Sequence, residues 1–573
     1  MDPEPRLTRR GVLAAAALPL VGAAPPVPGP GAGHGGAAPQ LRPVSMAMHI
    51  HGPFSEGLAS YSAHFEQARR HGVDVIWWTD HDFRIAAFAH RAAVHFDGAA
   101  EPERGLAWTW TTSAEGKLTS SAADFVASPH SPPDGPGKAL RLSAAGAGIL
   151  WYQGNAWNAT ANACIADTTL TLDVLPETLS GDGALLLDVQ LSHHPARGGR
   201  PAGILRIRYR IGAAELPGHS ASGTSGTVSR PVKNGLWQRF TFVPRDDVAR
   251  LWPDVVPGDN ALTGLRIGVQ RAGFVVDRLT FDRSRRAGQA GEQLRAEVIA
   301  AAARDHPGVT HFRAMEMSLV RHVNWFGGDQ TFPPFPMPPV RDNDPALTRS
   351  MVRFLHAHGG LTCWNHPMDV ATREELVKLM IASDFLGCDL VEIGRKPLDD
   401  LLWAFDVAAR NALFFTAVGS SDDHDGIDWL TNEEHFVTYV WARSTAQADL
   451  LAALRAGAAW FTDLARYRGE LDLRVGGVSH LGAVLIRSAP VTVSVVATKL
   501  PRKAVVEVVS GPVDEAAAVP STTVSEGAAV TVRPGRYVRV QVRLATGEIV
   551  GASNPLWVLA RKPKRPVPAA RAR

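Results

Sequence analysis

The stretch Val73-Asp74-Val75-Ile76-Trp77-Trp78-Thr79-Asp80-His81 decides how this chain is read. Residues 73–79, VDVIWWT, are a short apolar run of strand length, and an acid and a histidine follow at once. A helical pattern over Ser60–His71 precedes the run, so it reads as a buried strand of a parallel sheet rather than a piece of helix. The same unit recurs further on. A helix over Leu347–His358 leads to a strand over Leu361–Trp364 and then Asn365-His366-Pro367. Another over Asp400–Asn411 leads to Leu413–Val418 and then Ser420-Ser421-Asp422-Asp423-His424. Glu374–Ala382 with Asp389–Ile393 supplies one more pair, with Glu392 near its end. Alternating helices and continuous apolar strands predict an α/β chain built on a mostly parallel sheet or barrel. Polar residues just past the C-terminal ends of such strands are where barrels carry chemistry.

Two segments break the rhythm. Between about Glu103 and Arg285 the helical pattern gives way to alternating runs: Ala184–Leu191, Ile204–Ile211, Trp237–Val243 and Gly264–Val269. Turn residues separate them, which predicts an inserted β-sandwich. After Tyr467 the runs Val491–Ala497, Ala504–Val509 and Tyr537–Leu544 predict a C-terminal antiparallel β-domain. The expected organisation is therefore signal and linker 1–40, barrel 41–103, inserted sandwich 104–285, barrel 286–466, C-terminal β-domain 467–559 and a disordered basic, Pro-rich tail 560–573.

Composition bounds the function. The 573 residues are 45% hydrophobic and 20% charged, the profile of a chain that forms cores. The 59 Lys+Arg against 56 Asp+Glu leave +3, which gives no footprint for nucleic acid. Three cysteines exclude a disulfide scaffold, and Cys363 is expected as a buried hydrophobe. At the N-terminus, Arg9-Arg10 precede a short apolar run, Gly11–Ala24, resembling a twin-arginine export signal with cleavage at Ala24 or Ala38. The run is too short and too rich in Ala and Pro for a membrane span, so an exported protein with no integral membrane segment is expected.

The polar residues at the strand ends form an N/O donor set. His49 and His51 alternate at the end of a strand over Val44–Met48, so both imidazoles can face one cavity. Glu56 follows in the next loop, Asp80 and His81 close the second strand, and Glu316 follows an expected strand over Val309–Ala314. His322 in the next loop, His366, Asp422 and His424 complete the set. Neutral imidazole with carboxylate suits Zn, Mn or Fe rather than calcium or a thiolate site. His64, His71, His90, His95, His356 and His358 fall on or at the ends of helices and are expected on solvated faces, and His193-His194 as a surface pair at a strand end. Asp80 is expected either to orient a neighbouring imidazole or to cap a helix. Arg321, Arg395 and Lys396 lie near the rim and read either as phosphate contacts or as solvated surface charge.

The ordered motifs resemble the polymerase and histidinol phosphatase (PHP) domain family. They are His49-Ile50-His51, Ser55-Glu56-Gly57, Thr79-Asp80-His81, Glu316 with Arg321-His322-Val323-Asn324, Asn365-His366-Pro367 and Ser421-Asp422-Asp423-His424, spread over residues 44–103 and 286–466. Glu56 stands where the family has Asp, and Arg321 where it has Gly. The resemblance implies a distorted (β/α)7 barrel, interrupted here by the insert. It also implies two to three divalent ions and hydrolysis of a phosphate ester by metal-activated hydroxide. It would place one ion on His49, His51, Glu316 and Asp422, a second on Glu316, His322 and His366, and a third on Glu56, His81 and His424. Catalytic contributions would come from Asp80 and Arg321 beside the ions.

Two other classes compete. An amidohydrolase-type barrel also opens with His-x-His but uses a carboxylated Lys bridge, where Glu316 stands here. A non-catalytic glycan-binding protein would use the tryptophans concentrated in the insert, Trp108, Trp110, Trp151, Trp157 and Trp237, which otherwise read as core. The expected partner is a small-molecule or glycan-linked phosphate ester, with a carbohydrate contact through the insert and no nucleic acid.

Overall fold

The computed structural model describes residues 41–55, 57–87, 96–97, 100–101, 106–107, 110–129, 138–154, 164–283, 287–334, 341–369, 371–515 and 519–573. Over these residues the chain is mixed α/β, with several sheets and more strand than helix. Residues 1–40, Glu56, His90, His95, Trp108 and Trp157 lie outside them.

The strands that position the candidate site are β1 (Arg42–Ile50), β2 (Val75–Trp78), β3 (Thr310–Met317), β4 (Val323–Phe326), β5 (Leu361–Trp364), β6 (Leu390–Gly394), β7 (Thr416–Gly419), β8 (Phe436–Ala442) and β9 (Ala459–Asp463). They lie in the order β7-β6-β5-β4-β3-β2-β1-β8-β9. β1, β2 and β3 run parallel, as do β5, β6 and β7. Between these groups β4 is antiparallel to both neighbours, with Asn324 opposite Glu316 on one side and Cys363 on the other. The loop expected around His322 thus runs straight into a strand. Val323 and Trp325 join the core under the helices while Phe326 joins the opposite core, the alternation that makes four residues worth pairing.

Helices α1 (Tyr61–His71), α2 (Gln289–Ala303), α3 (Pro345–Ala357), α4 (Arg373–Ser383), α5 (Leu398–Arg410) and α6 (Gln447–Ala456) accompany the sheet. α1 starts where Ser60 Oγ accepts the Ala63 amide at 3.0 Å and stops at Gly72, whose φ of 65° no β-carbon opposes. A capping box of Thr372 and Glu375 opens α4. Apolar residues of α1–α5, among them Phe65, Val298, Leu355, Met380 and Phe405, pack on one face of the sheet.

On the other face Met48, Trp77, Ala314, Phe326, Cys363, Leu390 and Val418 form a dry layer, closed by Leu450 and Leu454 of α6. Two residues further along β3 and β6 that same face turns polar, at Glu316 and Glu392, and β4 brings Asn324 alongside from the opposite direction. The sheet curls until β7 reaches β8. There the Thr438 hydroxyl donates to the Gly419 carbonyl at 2.8 Å and accepts the Gly419 amide at 2.9 Å. Gly394 on the neighbouring strand is needed at this seam, because a β-carbon there would collide with the buried ring of Phe461.

The chain between β2 and β3 builds a ten-stranded sheet around the long strands Thr169–His194 and Gly264–Asp282. It has a core of its own, with Leu172, Leu187, Ile207, Phe242, Ile267 and Val276 fully buried. Beyond β9 the strands continue the first sheet, since Phe461 pairs with Ala552, and a four-stranded sheet covers them. Among the described residues no helix is long and apolar enough to cross a membrane.

Several sequence expectations need correction. The tail 560–573 is not loose: the Arg571 guanidinium is buried against Gly482 and Thr416, and its carbonyl accepts the Val484 amide at 2.8 Å. His64 is fully buried, with Nε2 against the His51 carbonyl at 3.0 Å, and His71 is buried beside Gln67. Both point into the seam between α1 and its neighbours instead of into solvent. His194 is buried as well, 2.9 Å from Asn260 Oδ1, and His193 is half-buried. Cys363 is buried and free, Trp151 is buried under the guanidinium of Arg266, and Trp237 is half-buried.

The buried histidines make stability depend on pH. Burial pushes His194 down to about 3, against the partial support of Asn260, and burial likewise takes His64 down to about 3. Their ordinary value is 6.5, so between about 3 and 6.5 the unfolded chain binds a proton that the folded chain refuses. Stability is therefore lost as pH falls through that window, at up to about 1.4 kcal/mol per pH unit for each residue. Thermal melts at pH 7 and 5 are expected to show a lower Tm at pH 5. The drop should be smaller in His194→Gln, and an identical drop in that variant would refute the assignment to His194.

Candidate metal centre

Each candidate ligand sits where a strand of the curled sheet ends. His49 is the penultimate residue of β1 and His51 the residue after the strand, so alternation puts both on one side, and the register against β2 shifts between Ala47 and Ile50. Glu316 is inside β3, one residue short of its end. His322 precedes β4, His366 follows β5 by two residues, and Asp422 and His424 follow β7. His366 (φ 26°) and Asp422 (φ 52°) hold left-handed backbone that costs a side chain of order 1 kcal/mol or more, a strain typical of functional positions.

Glu316 is the hub. Its Oε1 lies 2.8 Å from His322 Nδ1 and 3.3 Å from His366 Nε2, and its Oε2 lies 2.8 Å from His81 Nδ1, 3.4 Å from His51 Nε2 and 3.6 Å from His49 Nε2. Asp422 Oδ1 approaches the other edge, 3.0 Å from His51 Nε2 and 3.2 Å from His49 Nε2. The His424 ring stacks on His51 with centroids 4.0 Å apart. Among the described residues, three groups of donor atoms are close enough to share an ion: His49, His51 and Asp422; His81, Glu316 and His322; and His51, His81 and His424. Glu316 and both histidines of the first pair are fully buried, whereas Asp422 and His424 are partly exposed, so the centre opens to solvent on their side.

The tautomers suit metal ligation. Glu392 Oε1 accepts from His49 Nδ1 at 2.7 Å, which leaves Nε2 as a bare donor facing the cluster. Asp369 holds His366 Nδ1 at 2.9 Å in the same way, and the Asp422 carbonyl holds His424 Nδ1 at 2.8 Å. His322 Nε2 is buried with no hydrogen-bond partner. A buried set of imidazoles and carboxylates of this kind fits divalent N/O-ligated ions.

The electrostatics agree. Burial alone would lower His49, but Asp422, Glu392 and Glu316 outweigh it and hold its pKa well above the ordinary value. Asp369 and Glu316 likewise overcome burial at His366 and raise it to about 9. Burial, reinforced by His424, takes His51 down to about 3. Glu316 stays well below the usual carboxylate range although burial opposes it, because His322, His81 and His49 surround it. Without ions, protons on His49 and His366 supply the positive charge that the carboxylates demand.

Asp80 and Arg321 do not take the expected places. Asp80 Oδ1 accepts the Gly52 amide at 2.7 Å, and Oδ2 accepts the Tyr61 hydroxyl at 2.7 Å and pairs with Arg295 at 2.9 Å. It orients no imidazole and caps no helix; it is half of a fully buried ion pair. Arg321 is half-buried and donates Nε–H to the Asn343 carbonyl at 2.8 Å. Arg395 is buried, pairing with Glu392 at 3.0 Å and Glu434 at 3.1 Å, while Lys396 is exposed. Sequence reasoning missed Asp369, Ser55 (3.1 Å from His51 Nδ1) and Asn365, whose Nδ2 donates to Glu316 at 2.8 Å, and gave Glu392 no role. Glu392 at a strand end, and Ser55 and Asn365 inside the motifs named above, were usable signals; Asp369 carried none.

No family model matches the chain, and no curated protein matches it. Among solved structures it is similar to a two-domain protein from Bacteroides vulgatus ATCC 8482 containing a predicted PHP-like metal-dependent phosphoesterase. The identity there is 16% and the TM-score 0.25, over 45% of this chain and 78% of that one. A xylanase triple mutant matches at 12% identity and TM-score 0.21, over 33% and 84%. An exo-beta-agarase matches at 10% and 0.15, over 34% and 24%.

Because metal must displace protons from His49 and His366, loading near neutral pH is expected to release protons and to weaken as pH falls. Calorimetric titration with Zn²⁺ in buffers of different ionisation enthalpy measures the release, and a buffer-independent heat would refute it. Glu316→Gln keeps the size but loses the charge at the hub, and is expected to lose more than one metal equivalent by elemental analysis. His356→Ala, on the exposed face of α3, should lose none. Asp80→Ala leaves Arg295 to Glu292 alone and unpairs the buried Gly52 amide and Tyr61 hydroxyl, and is expected to cost about 1–3 kcal/mol in denaturant unfolding.

Proposed function

We propose that this chain is a metal-dependent phosphoesterase of the PHP type, with the curled sheet and its helices as a distorted (β/α)7 barrel and the chain between β2 and β3 as an inserted jelly-roll-like sandwich. The observation that carries the proposal is the shared carboxylate: both oxygens of buried Glu316 face imidazoles, five in all, from four strand ends. One carboxylate with imidazole on both oxygens suits a site for neighbouring ions, Zn, Mn or Fe, numbering two to three. His49, His51, Asp422, Glu316, His322, His366, His81 and His424 would hold them, with Glu56 on the adjoining loop. Such ions supply Lewis acidity, bringing the pKa of water toward ~7 and drawing charge off phosphoryl oxygens.

The chain's own groups do the rest. Glu392 and Asp369 keep two imidazoles in the ligating tautomer, and Arg395 balances Glu392 so that its carboxylate stays ionised, lowered to about 2 although burial opposes it, with His49 the stronger partner. Substrate would enter past Asp422 and His424, the exposed members of the set. The carboxylated-lysine bridge of the amidohydrolase kind is disfavoured because Glu316 stands between the imidazoles where that lysine would be. Export through the twin-arginine-type segment and a carbohydrate contact through the insert complete the proposal.

The test is a panel of phosphomonoesters, cyclic diesters, sugar phosphates and lipid phosphates with added Mn²⁺ or Zn²⁺. Chelator-sensitive hydrolysis is expected. Glu316→Gln should lower it by roughly 10³-fold, about 4 kcal/mol of transition-state stabilisation. Glycan binding with no turnover on any member would overturn the reading in favour of a binding protein.

A further inference from the structure

The loop after His51 is held from outside the curled sheet. Asp259, contributed by the chain between β2 and β3, is fully buried against the start of α1. Its Oδ1 accepts the Tyr61 amide at 2.6 Å, and its Oδ2 accepts the Ser62 amide at 3.0 Å and the Ser62 hydroxyl at 2.7 Å. Three donors at a helix start are more than a cap of local origin gathers, and Ser60 already provides that cap. From the same chain segment, the His193 carbonyl accepts both the Ser60 amide at 3.0 Å and the Ser60 hydroxyl at 2.9 Å, and the His193 amide donates to the Leu58 carbonyl at 2.7 Å.

What lies on the far side of that loop is the cluster of His51, His81 and His424. The amides of Leu58 and Ala59 donate to the His424 carbonyl at 2.6 and 3.3 Å. Ser55 Oγ meets His51 Nδ1 at 3.1 Å and accepts the His81 amide at 3.2 Å. Tyr61, whose amide Asp259 holds, packs its ring so tightly on Gly52 that a β-carbon there would collide with it. The hydroxyl of Tyr61 reaches Asp80, which in turn accepts the Gly52 amide. All three histidines of one candidate ion position thus hang on a loop pinned by Asp259 and the His193 backbone. Glu316, His322 and His366 hang on β3, β4 and β5 instead.

We infer that Asp259 is a positioning residue of the metal centre, and that the chain between β2 and β3 is a working part of the ion position formed by His51, His81 and His424. The inference rests on the metal-binding reading given above. Outer groups that fix ligand-bearing segments commonly govern metal affinity by 10–100-fold. Asp259 touches no ligand side chain; it acts through the Gly52–Ser60 loop. Its effect should therefore be largest at the ion of His51, His81 and His424, whose three ligands all adjoin that loop, and smaller at the positions that share only His51 or only His81.

The experiment is a Zn²⁺ titration of the full chain against a competing chelator, with elemental analysis. The wild type is compared with Asp259→Asn, which keeps the shape and one acceptor, and with Asp259→Ala. Asp188→Asn is the control: it weakens the pairing of Arg208 and Arg266 within the ten-stranded sheet, on the same strand as His193 but five residues before it and with no bond to the loop. The expected result is that Asp259→Asn weakens the ion of His51, His81 and His424 by about 10–100-fold, more than any other, and leaves the far-UV spectrum unchanged. Asp188→Asn should retain all ions. Wild-type affinity for every ion in Asp259→Asn, or an equal loss of all of them, overturns the inference even if Asp259→Ala fails to fold. A wild type that binds no Zn²⁺ overturns the metal-binding reading itself.

Discussion

A single buried carboxylate sets the terms for the rest of the molecule. Glu316 is withdrawn from water inside a strand, and an ionised carboxylate in such a place is tolerated only if opposite charge or strong donors surround it. Five imidazoles and the Asn365 amide do so, drawn from the ends of four strands: His49 and His51 from β1, His81 from β2, His322 from β4, and Asn365 and His366 from β5. The curl of the sheet and the antiparallel β4 are the geometric means by which these groups converge on one point.

That arrangement explains why the inner face is layered. Below Glu316 and Glu392 the side chains are buried and apolar, Trp77 and Phe326 among them. The low polarity beneath strengthens every interaction above it, which is why Glu392 is ionised only with His49 and Arg395 against it. A second set of charges, Asp80 with Arg295, is buried outside the centre and serves the loop after His51. The two networks meet at Gly52, next in sequence to a candidate ligand.

What could be read from the chain alone was what depends on neighbours in sequence. Leu361–Trp364 and Val491–Ala497 are strands at the expected residues, because period-two alternation and flanking turn residues are local signals. The histidines and acids at strand ends were equally visible, since alternation puts His49 and His51 on one side and short apolar runs mark where strands stop. The strand at Val323–Phe326 was not visible: four residues beside a histidine motif look like loop until Glu316 and Cys363 are placed on either side of them.

Only the tertiary structure decided the partners of those residues. Glu392 and His49 are 343 residues apart, Asp259 and the start of α1 about two hundred, and no local pattern encodes such a pairing. The same holds for His64 and His194, whose helical and strand-end positions predicted solvent, and for Arg571 in a tail of surface composition. Residue type and spacing determine which side chains can bind an ion and which way they alternate. Which of them are stripped of water and meet within 3–4 Å of one another is set by chain closure over long separations, and that is a property of the packed whole.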